Sequence, residues 1–223
     1  MKTGVNMDFD QRVVVNANEM EWMESRLPNV FRRMLERENA ESGRATTIVR
    51  FEPNSAFDSH IHVGGEEFLV LEGVFSDETG DFGPGMYIRN PVGSEHRPHS
   101  KEGCVIFVKL CQMDVADQDA VRIDSNRDEW LPGLEDGLTV LPLHQFGSEN
   151  VGLVKWRPGT TFQRHSHPGG EEILVLDGVF EDEHGRYPKG TWMRSPAGSV
   201  HTPYSAEGGM IYVKTGLNFP SAS

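Results

Sequence analysis

The sequence predicts an all-β protein built as two tandem barrels or jelly rolls, and three observations predict it. One sixteen-residue stretch, His60 to Phe75, returns at His165 to Phe180 with 12 positions identical. The offset of 105 residues between the copies then holds far beyond them without a gap. Between these anchors the chain reads as short β-type runs at about ten-residue spacing, with Gly and Pro at the turns.

The repeat sets the domain organisation, because a fixed period defines the structural unit. Pro53, Gly85, Arg89, Pro91, Gly93, His96 and Lys109 match Pro158, Gly190, Arg194, Pro196, Gly198, His201 and Lys214. Upstream the offset becomes 108, where Val13, Asn18 and Trp22 match Val121, Asn126 and Trp130. The copies therefore run over 11–112 and 121–217, joined by a polar linker at 113–120. A unit of about 100 residues is itself domain-sized.

Each element follows from the local residues and from its counterpart. Asn18 to Arg26 and Asn126 to Leu131 read as turns, each with a Trp that packs on its own repeat. Val30 to Glu38 has helical propensity. Its counterpart, Gly137 to His144, is β-branched and carries Pro142 inside it, which suits an edge strand. Two copies of one unit share one structure, so both read as strands. Ala45 to Phe51 and Val151 to Trp156 are β-type runs ending at Pro turns, and Glu66 to Phe75 and Glu171 to Phe180 are strong strands. The acidic segments Asp77 to Asp81 and Asp182 to Arg186 each hold a Gly and read as hairpin turns. Met86 to Arg89 and Thr191 to Arg194 are strands that break at a proline, and Cys104 to Lys109 and Met210 to Lys214 are the final apolar strands.

Bulk composition excludes several classes. The 223 residues are 37% hydrophobic, enough to bury a core without staples. The net charge of −13 repels nucleic acid and anionic lipid over most of the surface. No run of about 18 apolar residues predicts a membrane span. Met1 to Asp10 lacks the apolar core of a targeting signal. Two cysteines, Cys104 and Cys111, make no disulfide framework, and the expectation is a cytoplasmic protein.

The repeated stretch carries chemistry. Side chains two apart on a strand share a face, so His60 projects with His62 and His165 with His167. Glu66 and Glu171 keep that parity if the strand runs on through the Gly-Gly pair, with Phe68 and Val70 below them. The Gly pair lets the backbone come close to whatever these side chains hold. The segments Pro91 to His96 and Pro196 to His201 make a tight turn that sends a fourth group, His96 or His201, inward. Six of the nine histidines fall inside this doubled pattern, which argues against accident. Three imidazoles and one carboxylate per repeat suit Zn, Fe, Ni, Cu or Mn rather than Ca or Mg. Four ligands close a tetrahedral site but leave two positions open on an octahedral one.

These two segments resemble the two motifs of the cupin superfamily, and their duplication resembles a bicupin. The form HxHxGGEEFLVLEGVF followed by RNPVGSEHRPHS is similar to the cupin domain of ChrR-type anti-sigma factors. The resemblance implies a double-stranded β-helix barrel with metal held by His60, His62, Glu66 and His96. In the second copy it implies His165, His167, Glu171 and His201. It further implies zinc, one ion per repeat, a role in the oxidative-stress response and a sigma factor as partner. Against that partner, the helical recognition domain of those factors carries a His-x3-Cys-x2-Cys motif that this sequence lacks. Similar stand-alone cupins include oxygen-dependent dioxygenases that cleave carbon–carbon bonds. Two functions therefore stand: a metal-binding regulatory sensor, or a non-haem dioxygenase taking a small oxygenated molecule in the barrel, with catalytic residues unassigned.

Other residues carry weaker expectations. Glu67 and Glu172 point away from the metal on a regular strand and read as structural carboxylates, with a general base as the sharper option. Arg89 and Arg194 read as salt-bridge partners or as anchors for an anionic ligand. Cys104 and Cys111, matched by Gly209 and Gly216, read as small buried residues or a peroxide-sensing thiol. His99, His144 and His184 have no matched histidine and are treated as ordinary. The strands are apolar on both faces, so one face is left for the sister repeat or a second copy of the chain.

Overall fold

The computed structural model describes residues 4–217, so Met1 to Thr3 of the leading segment lie outside the described residues. The chain is nearly all β, and among the described residues one 3-10 turn, Ala17–Glu19, is the only helical element. Among the described residues no helix is long and apolar enough to cross a membrane.

Among the described residues the first compact unit comprises 4–7 and Met20–Arg127. Its main antiparallel sheet runs in the order Val121–Asp124, Met86–Asn90, Glu66–Gly73, Cys104–Leu110, Ala45–Phe51, Val30–Arg37, Met23–Glu24. A smaller sheet holds Ser55–Ala56, His99–Ser100, Phe75–Asp77 and Gly80–Phe82. The core includes Phe51, Phe68, Val70, Phe75, Ile88 and Ile106. Phe68 and Phe75 are at most 2% exposed, and burying each contributes roughly 2–3 kcal/mol. The segment with helical propensity is the strand Val30–Arg37, as its counterpart Leu138–Phe146 is. Sheet pairing outweighs local propensity here, because Val30–Arg37 is laddered on both sides. Trp22 lies under the guanidinium groups of Arg33 and Arg50, at 4.1 and 4.7 Å from the ring centre.

Among the described residues the second compact unit comprises Asp8–Glu19 and 128–217. Its main path is Val13–Asn16, Thr191–Ser195, Glu171–Asp182, Gly209–Thr215, Glu149–Trp156, Leu138–Phe146, Leu131–Pro132. Its core is built on Trp156, Ile173, Val175, Phe180, Tyr187 and Ile211.

The compact units depart from the sequence repeats at their leading strands. Val13–Asn16 leads the first repeat yet pairs with Thr191–Ser195 in the second unit, Val13 opposite Arg194. Val121–Asp124 leads the second repeat yet pairs with Met86–Asn90 in the first, Val121 opposite Arg89. The boundaries 11–112 and 121–217 mark repeats of sequence, whereas the folded units exchange these strands. A sheet edge is satisfied by any strand of matching pattern, and Val-Val-Val and Val-Arg-Ile serve equally. Part of the 113–120 linker is structural too, since Asp117 is buried and bonds Arg89.

Candidate metal centre

In the first unit His60–Ile61 pairs with Glu95–His96, placing His96 opposite His60. The turn before it is held by the Ser94 N–H to Pro91 O bond of 3.1 Å, with Gly93 at φ 85°. The strand does not run on from His62 to Glu66 as the parity argument requires. It bends at Gly65, φ 75°, where the Gly65 N–H meets His62 O, and a separate strand starts at Glu66. The glycine pair also serves a different neighbour from the expected one. A Cβ on Gly64 would sit 2.6 Å from Cys111 Cα, and one on Gly65 would sit 2.3 Å from Met113 Sδ. The glycines thus admit the chain beyond Leu110, whose Cys111 and Met113 amides bond Gly65 O and Gly64 O.

The eight predicted residues gather into two clusters. In each, one ligand atom per residue of His60, His62, Glu66 and His96, or of His165, His167, Glu171 and His201, lies within 4.8 Å of the others. The ring centres of His62 and His96 are 4.6 Å apart, and those of His165 and His167 are 4.5 Å apart. Nδ1 atoms are engaged from behind. His60 Nδ1 meets Asp58 O at 3.1 Å and His165 Nδ1 meets Gln163 O at 2.9 Å. His62 Nδ1 meets Ser94 Oγ at 2.9 Å, and the Ser94 hydroxyl itself donates to Pro91 O. His96 Nδ1 lies 3.3 Å from Asp77 Oδ2, and His201 Nδ1 lies 3.8 Å from Asp182 Oδ2. Such partners fix the tautomer that turns Nε2 into the cluster.

In the first cluster two of the Nε2 atoms lack partners of their own. Those of His62 and His96 are buried without a hydrogen bond. They lie 3.3 and 3.4 Å from Glu66 Oε2, within ion-pair range but outside hydrogen-bond geometry. In the second cluster His167 Nε2 faces His201 Nε2 at 3.1 Å. Burial, then the neighbouring imidazoles, lowers His62 and His167 to about 4, so both are neutral and able to coordinate at pH 7. Burial raises Glu66 and Glu171 to about 7, a carboxylate short of positive charge. Neutral imidazoles, orphaned nitrogens and an under-compensated carboxylate together fit a divalent cation.

Several supporting groups escaped the sequence reading. Asp77 and Asp182 lie in the segments read as acidic turns, although their match at offset 105 was available as a signal. Asn90 donates to Glu66 Oε2 at 3.1 Å, and Arg122 Nη2 donates to Asn90 Oδ1 at 2.8 Å. Arg12 Nη2 bonds Asp182 Oδ2 at 2.9 Å and the Tyr187 hydroxyl at 2.8 Å. Arg12 and Arg122 are not matched by the repeat offset, so no periodic signal marks them. Glu67 and Glu172 point away from the clusters. Glu67 accepts from Tyr87 and Arg89, and Glu172 accepts from Trp192 Nε1 at 2.8 Å. Arg89 is a buried salt-bridge residue, paired with Glu67 and Asp117.

A cavity of about 540 Å³ in the first unit reaches this centre. His60, His62 and Glu66 line it together with the apolar Val30, Val49, Phe51, Phe57, Ile106 and Val108.

Fold and centre define a double-barrel β protein with a His3Glu donor set in each barrel, fit for a divalent metal. The profile of the ChrR cupin-like domain matches residues 10–114 and again 118–218, and the chain belongs to that family. Solved structures share the fold. A candidate dioxygenase from Nostoc punctiforme is similar at 17% identity, TM-score 0.78, over 96% of this chain and 85% of its own. A candidate glyoxylate-induced protein from Pseudomonas aeruginosa gives 16% identity, TM-score 0.75, over 95% and 91%. A tryptophan variant of oxalate decarboxylase from Bacillus subtilis gives 13% identity, TM-score 0.64, over 92% and 77%. A comparison with curated proteins gave no match.

Proposed function

We propose that the chain is a metal-dependent enzyme of the non-haem dioxygenase class, acting on a small oxygenated organic molecule held in the first barrel. The cavity carries this reading: it is of ligand size, largely apolar, and lined by His60, His62 and Glu66. A purely structural ion needs no such access. The three histidines and the carboxylate would hold the metal, which supplies Lewis acidity and, as iron, dioxygen chemistry. The chain's own contribution is positioning. Ser94 and Asp77 fix His62 and His96, and the walls exclude water from the bound molecule. The fold likeness to a candidate dioxygenase is consistent with this and carries no more weight than that.

A regulatory sensor of the ChrR type is the second reading, favoured by the family match over both repeats. Zinc would then be the metal and a sigma factor the partner.

Metal analysis with oxygen uptake separates the two. Iron in the purified protein, and oxygen consumption on adding a β-dicarbonyl or phenolic ketone, support the enzyme. Stoichiometric zinc with no solvent ligand and no oxygen uptake refutes it and leaves the sensor, which co-purification with a sigma factor then tests.

A further inference from the structure

The wall of the first cavity has a polar spot on two strands, Val30–Arg37 and Ala45–Phe51, that carry none of the four metal donors. On the strand Ala45–Phe51, the alternate residues Thr47, Val49 and Phe51 face the cavity. Thr47 is 2% exposed, and its hydroxyl has no hydrogen-bond partner. On the neighbouring strand Arg32, which pairs with Val49, also lines the cavity. Its two Nη groups hold Glu41, each at 3.1 Å, while its Nε is buried without a partner. Leaving such groups buried and unpaired is unfavourable, and a ligand oxygen would satisfy them. The charged residues lining the cavity besides the metal donors favour an anion, since Arg26, Arg32 and Arg37 stand against Glu41 and Asp58. The second barrel has nothing equivalent: the ladder positions of Arg32 and Thr47 are Val140 and Gly152.

We propose that Arg32 and Thr47 form a subsite for a carboxylate, so that the first barrel takes an apolar-bodied organic acid with its acid group remote from the metal. This deepens the enzyme reading by naming its substrate class, and it rests on that reading only for the reaction. The Thr47 hydroxyl and Arg32 Nε–H donate to the carboxylate, and Val30, Val49, Phe51 and Ile106 enclose the body. The second barrel, lacking both donors, does not share the specificity.

Octanoate binding to the full chain loaded with Co(II) tests the subsite by calorimetry and visible spectroscopy. The expected result is binding that leaves the Co(II) bands unchanged and weakens about tenfold in Thr47→Val, a loss of one hydrogen bond to a charged group. Arg32→Met should weaken it at least as much, and 1-octanol should bind less tightly than octanoate. Thr47→Val keeps shape and volume, so it decides the matter even where Arg32→Met lowers the melting temperature. Equal octanoate affinity in Thr47→Val, no binding at all, or shifted Co(II) bands would overturn the proposal. Absence of oxygen uptake would overturn the dioxygenase reading and leave the octanoate result intact.

Discussion

The two candidate metal centres share every donor and differ in what stands behind them. In the first, the exchanged strand brings Arg122 to Asn90, whose amide then grips the carboxylate Glu66. In the second, Ser195 replaces Asn90 in the sequence, and the exchanged strand brings Arg12 directly to Asp182, the acid behind His201. Each arginine also lies against the same aromatic position, Phe82 at 5.6 Å and Tyr187 at 5.3 Å from the ring centre. Only the tyrosine adds a hydroxyl, which bonds Asp182 Oδ1 at 2.8 Å. The balance on the third histidine changes accordingly. Burial lowers both. His96 stays lowered despite Asp77, whereas Asp182 and Glu171 lift His201 above its ordinary value. The duplication kept the donors and let their electrostatic support diverge, and the cavity walls diverged with it.

The largest test of that comparison removes a ligand. His62→Ala should weaken metal binding in the first barrel by more than about 100-fold and leave the second loaded, as His167→Ala should do in reverse. Metal content by mass spectrometry checks it; loss from both barrels with either variant would mean that the centres are not independent. A backbone contrast comes next. Gly216 has φ 68°, and an added Cβ would lie 2.0 Å from Ser148 O, while Cys111 occupies the matching position at φ 57°. Gly216→Ala should cost about 2 kcal/mol or more, and Cys111→Ala within about 0.5 kcal/mol, by denaturant melts. The supporting arginines sharpen the comparison further. Arg12→Met should weaken metal at the second centre about tenfold, and Arg122→Met should weaken the first less, because it acts through the Asn90 amide. Chelator competition reads both; equal losses would erase the distinction between direct and relayed support.

How much of this was legible in the sequence follows from what repeats. The eight donors, the turn at Gly93 and the paired strands recur at one offset, and recurrence made them visible. The repeat even corrected the helical propensity of Val30 to Arg37. The strand exchange was not legible, since Val13 and Val121 are matched residues and pairing either with its own repeat or with the other leaves the pattern unchanged. Arg12 and Arg122 were hidden for the same reason, because they reach their targets only through that exchange. Parity also failed at one point: Gly65 adopts a positive φ, so counting residues along a supposed strand from His62 to Glu66 gave the right partner by the wrong path. The glycine pair was read as room for a ligand and proved to be room for Cys111 and Met113, a contact with no local sequence mark.

The smallest effect concerns the two thiols, which stand where the second repeat has Gly209 and Gly216. A sensing cysteine needs a thiolate, and therefore a lowered pKa and access. Neither cysteine meets both conditions. Burial raises Cys104 to about 11, against a weak opposing bond from Ser100, and the residue is 4% exposed. Cys111 is raised as well, by burial first and then by Glu38, although it is only half-buried. A raised pKa means that the neutral thiol prevails up to the shifted value, so at pH 8 only about one Cys104 in a thousand is ionised. Under native conditions at pH 8, iodoacetamide should leave Cys104 unmodified and label Cys111 slowly, with both reacting fully once the chain is unfolded. Peptide mass spectrometry distinguishes the sites. Rapid native labelling of Cys104 would return the thiols to consideration as sensors, and with them the regulatory reading; slow labelling leaves the metal centres as the chemistry in which the barrels differ.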